Sequence, residues 1–289
     1  MSISAGPSAS LDIPLYHPCP PEPSCGYCNG TIDGASRLDW SFVDAVYCIS
    51  LKTRADRLAQ AAAEFHKLGL CRRVTFHRPD KHPKSARIGS WEAHRAVAMH
   101  ALAQGCRRVL ICEDDVLFTR RVGPATLASI ERALAALPED WMIFFLGHWP
   151  LAAYFVRHNV LRTSSGCCHA YIASPRLLQW LCDHPWGAPA VETSPIAGKG
   201  VDSAFARLPQ TYALFPMLAI QRASRSDHFD HRAQRPKRKH KLRHLVIRSR
   251  HRELLLSRLM RPFEVIVALL SPVFLLKALV RGRLTGRSA

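Results

Sequence analysis

The spacing of apolar positions changes in a regular way from residue 43 onward. Val43–Leu51 is an apolar run rich enough in β-branched residues for a buried strand. Arg54–Leu68 places Leu58, Ala62 and Phe65 at helical intervals and runs into Gly69, a helix stop signal. Arg73–His77 predicts a second short strand. Beyond a loop through Pro79, Pro83 and Lys84, Ser90–Gln104 predicts a helix stopped by Gly105. Val109–Cys112 reads as another buried strand, Ala125–Leu137 as a helix and Trp141–Leu146 as a strand. Cys167–Ala173 adds a strand ahead of a Pro175–Cys182 helix, and Ser203–Leu208 is a short helix. Strands and helices alternating in units of roughly thirty residues predict an α/β fold with a mostly parallel sheet flanked by helices. Residues 1–40, rich in Pro, Gly and Ser, predict an irregular leader; 41–230 form the body, and 231–289 a basic and apolar helical tail.

Charge changes this picture only at the tail. The chain carries a net +18, and residues 231–289 hold sixteen Lys/Arg against two Glu, so the body itself is close to balanced. Arg235–His244 is a dense cationic run, Arg248–Arg261 mixes Arg with Leu, and Phe263–Val280 is strongly apolar but broken by Glu264, Pro272 and Lys277. Its unbroken part is shorter than the roughly 20 residues a membrane span needs. A basic stretch beside an apolar helix predicts peripheral attachment to an anionic membrane surface. Nucleic acid is the rival partner, disfavoured because the stacking aromatics are nearly absent from the tail. Most of the ten cysteines lie in apolar stretches (Cys48, Cys106, Cys112, Cys167, Cys168, Cys182), which suits buried thiols in a reducing compartment. Met1–Pro20 has no basic and apolar signal pattern. These readings predict a cytoplasmic protein peripheral to the inner face of a membrane. His17, Cys19, Cys25 and Cys28 could ligate zinc, but no second CxxC follows Cys25–Cys28, and a leader with unligated thiols is the better reading.

The chemistry concentrates at Glu113-Asp114-Asp115, directly after the predicted Val109–Cys112 strand. In open α/β sheets ligands bind beyond the carboxyl ends of the strands. Three consecutive carboxylates repel one another, and a hard divalent cation would compensate them. Side chains at i and i+2 of an extended segment point the same way, so Glu113 and Asp115 are expected to share a site while Asp114 faces elsewhere. Capping or solvated loop acids are the plain alternative. A phospho-receiver domain is excluded, because the later strand ends in Gly147-His148 and offers no acceptor carboxylate.

The order and spacing of several blocks resemble glycosyltransferase family 25, the lipopolysaccharide galactosyltransferases and their collagen-modifying relatives. The blocks are Val46–Leu51 with Arg54 and Arg57; Ile88–His94; Val109–Val116; Asp140–Ile143 through Leu146-Gly147; Gly166 and Ala170–Ser174; Val201-Asp202; and Ser226-Asp227. Ser50, Ser90 and Ala93 depart from the family's Asn, Cys and Ser. The resemblance implies a GT-A-like fold, a UDP-sugar donor, manganese dependence and inverting transfer of a hexose, galactose being one candidate, to a glycan or lipopolysaccharide acceptor. Within it, Asp115 is the expected metal ligand, Glu113 contacts the ribose or the metal shell, and Asp114 is the weakest member. Arg57 and Arg54 are candidates for the nucleotide diphosphate, because a guanidinium fork matches phosphate oxygens; solvated helix residues are the alternative. His94 is a candidate for orienting the donor, or a satisfied core histidine. Inverting transfer needs a base, and Asp202 is the expected one, with helix capping as its alternative role. Asp227 and His228 could complete the metal or diphosphate site. The departures at Ser50 and Ala93 motivate a second reading: a membrane-associated, non-catalytic sugar-nucleotide-binding or scaffold protein.

Overall fold

The computed structural model describes residues 15–16, 38–188 and 200–222, together with positions 265, 266, 269, 270, 273 and 276 of the tail. The chain enters the sheet at β1 (Leu15–Tyr16) and continues through β2 (Ala45–Ile49), α1 (Ala55–Lys67), β3 (Val74–His77) and α2 (Ala86–Ala103). It then forms β4 (Val109–Glu113), β5 (Val116–Phe118), α3 (Pro124–Ala135), β6 (Ile143–Arg157) and β7 (Val160–Ala173). The body closes with α4 (Pro175–Asp183), α5 (Val201–Phe205), β8 (Thr211–Leu214) and β9 (Ala219–Gln221).

Seven strands make one sheet in the order β1-β3-β2-β4-β7-β6-β8. β3, β2, β4, β6 and β8 run one way, while β1 and β7 run against them, so the sheet is mostly parallel. Alternation along the strands sends residues to two cores. Val46, Cys48, Phe76, Leu110, Cys112 and Phe144 face the layer that holds Phe65 of α1 and Ile130 of α3. Tyr47, Val109, Ile111, Phe145 and Tyr171 face α2, α4 and α5. Helices therefore cover both faces, consistent with the GT-A-like arrangement expected. α1 has no side-chain cap at its start; it is fixed by fully buried Phe65, a group worth about 1.5–3 kcal/mol on burial.

The helix stops behave as the sequence predicts: Gly69 and Gly105 follow α1 and α2 with φ of 66° and 69°, the left-handed region where glycine meets no Cβ penalty. Other boundaries differ. α2 begins four residues before the expected Ser90, because Ser85 caps it by accepting from the Arg87 N–H at 3.1 Å. The predicted Trp141–Leu146 and Cys167–Ala173 strands are the inner halves of a long antiparallel ribbon, β6–β7, with register shifts at Phe145/Gly147, Gly147/Trp149, Pro150/Ala152 and Phe155/Arg157. The ribbon bends so that both strands pair with β8: Ile143–Phe145 of β6 lie parallel to it and Val160–Arg162 of β7 antiparallel. The leader, expected to be irregular throughout, contributes β1, antiparallel to β3. Its possible zinc ligands lie outside the described residues.

The expectation of reduced thiols holds for Cys48, Cys106, Cys112, Cys168 and Cys182. It fails at Cys71, which is disulfide-bonded. Among the described residues no helix is long and apolar enough to cross a membrane.

Candidate active site

The connection order creates the site. From β2 the chain crosses through α1 to β3 on one side, then through α2 back past β2 to β4 on the other. The carboxyl ends of β2 and β4 thus flank a topological switch point, where open α/β sheets bind ligands. The acidic triplet stands there. Glu113 ends β4, and Asp114-Asp115 form the turn into β5, with the Asp114 N–H donating to the Ile49 carbonyl of β2 at 3.1 Å. The Asp115 carbonyl accepts from the Arg222 N–H at 2.6 Å. This contact and the β5–β9 pair hold the turn from the chain's far end.

Each carboxylate has its own environment. Asp114 is paired with Arg57 of α1 at 2.9 Å, and both side chains are nearly buried. Burial raises the Asp114 pKa to about 6; Arg57 and the Ser50 hydroxyl oppose the rise, and Asp115 adds to it. Asp115 lies 3.6 Å from the same Arg57 nitrogen, and its Oδ2 accepts from Gln221 Nε2 at 3.1 Å. Asp115 Oδ1 is buried with no hydrogen-bond partner among the described residues. Glu113 keeps 26% of its side chain exposed and meets His94 Nε2 at 3.5 Å. Burial, with Asp115 and Asp202 close by, drives the Glu113 carboxyl well above the usual carboxylate range. Asp115 is raised as well, chiefly by burial.

His94 sits buried on α2, its Nδ1 2.8 Å from the Tyr171 hydroxyl. Burial lowers its pKa to about 4, so it is neutral near pH 7, and burial holds the Tyr171 hydroxyl protonated. Either the hydroxyl or Nδ1–H can donate in this contact, and the other ring nitrogen, Nε2, faces Glu113. Asp202, in the first turn of α5, is exposed and close enough to Glu113, Asp115 and His94 to shift all three. The Cys168 thiol hydrogen-bonds to it.

The structure therefore brings together Arg57, His94, Glu113, Asp114, Asp115 and Asp202 from four separate elements and one turn. Arg57 acts as a counter-charge of Asp114 and Asp115, a task the sequence reading gave to a divalent metal ion. Arg54 is paired with Asp56 at its own helix start, at 2.9 Å. Asp227 and His228 lie outside the described residues. Asp115 lies in a turn 3.6 Å from Arg57 and is close enough to Glu113 to raise its carboxyl, as Asp202 is to both. Sequence reasoning gave no role to Cys168, Tyr171 or Gln221. Tyr171 stands inside a quoted block, but no sequence signal marks Gln221, which lies 106 residues from Asp115.

Among the described residues, no three His, Cys, Asp or Glu side chains form a set that could by itself hold a metal ion. The residues nonetheless suit a hard divalent cation shared with a diphosphate, which needs only one or two carboxylates from the protein. Among the described residues Asp115 Oδ1 has no hydrogen-bond partner, and Glu113 beside it keeps 26% of its side chain exposed.

No protein-family model and no curated protein matches the chain. Solved structures do match. A197 from STIV shows 13% identity over 67% of this chain and 99% of that chain, with a TM-score of 0.36. A glycosyltransferase involved in glycosylation of the major capsid of PBCV-1 shows 10% identity over 58% and 81%, with a TM-score of 0.34. Apo-UDP-glucose pyrophosphorylase shows 8% over 59% and 72%, with a TM-score of 0.33.

Proposed function

We propose that this chain is a glycosyltransferase of the family-25 type, transferring a hexose from a UDP-sugar to a glycan or glycolipid acceptor at a membrane surface. The observation that carries the reading is the meeting of Glu113, Asp115 and exposed Asp202 at the switch point, with Asp115 Oδ1 buried and lacking a hydrogen-bond partner among the described residues. Asp202 is the base: an acceptor hydroxyl attacks the anomeric carbon and its proton passes to the Asp202 carboxylate. The bond from that carbon to the diphosphate oxygen breaks, and UDP departs with the electron pair, which inverts the centre. Asp115 and Glu113, with Asp227, would hold manganese, whose positive charge stabilises the departing diphosphate. His94, held by Tyr171, meets Glu113 through Nε2 and orients it. Arg57 opposes the rise that burial imposes on Asp114 and Asp115 and so favours their ionised forms.

The tail supports the membrane part of the reading. Val265, Ile266, Leu269, Leu270, Val273 and Leu276 are all exposed, an apolar stripe along the tail's sequence. Beside the cationic run, that stripe suits the interface of an anionic leaflet.

The test is hydrolysis of a UDP-sugar panel in manganese by the native protein and by Asp115→Ala. Manganese-dependent turnover lost in the variant, with an unchanged melting temperature, supports the reading; turnover retained in the variant overturns the metal assignment. A second reading, a non-catalytic sugar-nucleotide-binding protein, draws on the Arg57 ion pairs, which already neutralise part of the acidic cluster. It predicts UDP binding that is indifferent to manganese.

A further inference from the structure

Two side chains converge on one oxygen of the Asp115 carboxylate. Gln221 Nε2 donates to Oδ2 at 3.1 Å, and Arg57 Nη1 lies 3.6 Å from the same atom. The other oxygen, Oδ1, is buried and has no hydrogen-bond partner among the described residues. The two neighbours of Oδ2 differ in charge. Arg57 is shared with Asp114, which it meets at 2.9 Å, and it offsets part of the negative charge of the turn. The Gln221 amide is neutral, so it can fix the direction of the carboxylate without cancelling its charge. An ionised carboxylate only accepts, so the amide nitrogen is the atom that faces it.

The place of Gln221 is set by the fold. β9 runs antiparallel to β5 with Gln221 level with Val116, and the Arg222 N–H carries that ladder on to the Asp115 carbonyl at 2.6 Å. The start of β9 is tied on two sides. The Leu218 N–H donates to the Leu146 carbonyl of β6, and the Leu218 carbonyl accepts from the Thr119 N–H just after β5, each at 2.8 Å. The backbone and the side chain of Asp115 are therefore both held by a strand that is itself fixed to β5 and β6. Hydrogen bonds of this kind to a ligating carboxylate, made from a rigid element, orient it toward a metal.

We infer that Gln221 is a positioning residue of the candidate metal site, its amide holding Asp115 Oδ2 so that Oδ1 is presented to a divalent cation. The inference rests on the reading of Asp115 as the metal ligand. A merely structural Gln221 would join β9 to the acidic turn, and its loss would lower stability and leave cation affinity unchanged. A positioning Gln221 separates the two quantities. Lysine in its place keeps a donor for Oδ2 but adds a positive charge, which supports the metal-free turn and competes with the cation.

The experiment titrates manganese, alone and with UDP, into the full chain and reads the free ion by electron paramagnetic resonance. Native protein, Asp115→Ala, Gln221→Leu and Gln221→Lys are compared, and the melting temperature of each is measured without metal. The expected result is manganese binding by the native protein that Asp115→Ala abolishes. Affinity should fall about tenfold to a hundredfold in Gln221→Leu and at least as far in Gln221→Lys. The metal-free melting temperature of Gln221→Lys should be no lower than that of Gln221→Leu. Equal affinity in native protein, Gln221→Leu and Gln221→Lys, with loss in Asp115→Ala, overturns the inference and leaves the metal assignment standing. No manganese binding by the native protein, or equal binding by Asp115→Ala, overturns the metal assignment and the inference with it. If Gln221→Leu does not fold, Gln221→Lys decides, because it keeps a donor for Oδ2.

Discussion

At the residue scale, the acidic turn is governed by compensation. Asp114 and Asp115 are nearly buried, and Arg57 is the cation that faces both. Removing one partner of a buried pair leaves an uncompensated charge, a loss of about 3–5 kcal/mol. Arg57→Met should therefore lower stability to chemical denaturation by that order, and adding Asp114→Asn should restore much of it. Equal stability of Arg57→Met and native protein would show that the guanidinium is not what offsets the acids. His148 supplies a separate pH dependence. It is buried, and burial, with His169 nearby, lowers its pKa from 6.5 to about 3. The folded value lies below the unfolded one, so this stability is present above about pH 6.5 and is lost as pH falls toward 3. The full loss is at most about 5 kcal/mol. His148→Gln should flatten the fall in unfolding free energy between pH 6.5 and 4; an unchanged slope would contradict the account.

At the element scale, what was legible follows from periodicity. α1, β2, β3 and β4 were readable because their apolar spacing is local and their ends carry Gly69, Gly105 or charged residues. The outer half of the β6–β7 ribbon was not. Its register shifts four times, so the period of two that marks a strand breaks at each shift. β8, only Thr211–Leu214, is buried at every position and too short for periodicity to register. The site divides the same way. The triplet's place at a strand end could be read from neighbouring residues, but its contacts with Arg57, Gln221 and Asp202 span many residues and arise from topology alone. Gly147 shows how closely the bend is fitted: a Cβ there would overlap His169 Nε2 and the Ala219 carbonyl of β9. Because the second neighbour is backbone, relief requires moving β9, which anchors Asp115 through the Arg222 N–H. Gly147→Ala should lower stability by about 1–3 kcal/mol and weaken manganese-linked UDP binding with it. Thermal melts with and without UDP and manganese would reveal a variant that loses only one of the two.

At the scale of the whole molecule, charge and chemistry are separated along the chain. The sixteen Lys/Arg of residues 231–289 lie apart in sequence from the switch point, whose own cluster is acidic. If the tail serves only to hold the enzyme at its acceptor, removing it should spare donor chemistry and abolish membrane attachment. A chain ending at residue 230 should hydrolyse UDP-sugars in manganese at the native rate. It should no longer sediment with vesicles containing anionic phospholipid. For the full chain, sedimentation should weaken as salt rises, because each basic residue near the surface contributes on the order of 1 kcal/mol through a screened attraction. The exposed stripe from Val265 to Leu276 adds a part that salt does not screen. Leu269→Asp with Val273→Asp should therefore release the protein even at low salt, although the net charge falls by only two. Retention of this double variant on vesicles at low salt would mean that the cationic run alone holds the membrane. Binding of the isolated tail to duplex DNA with a steep salt slope would return nucleic acid as the partner.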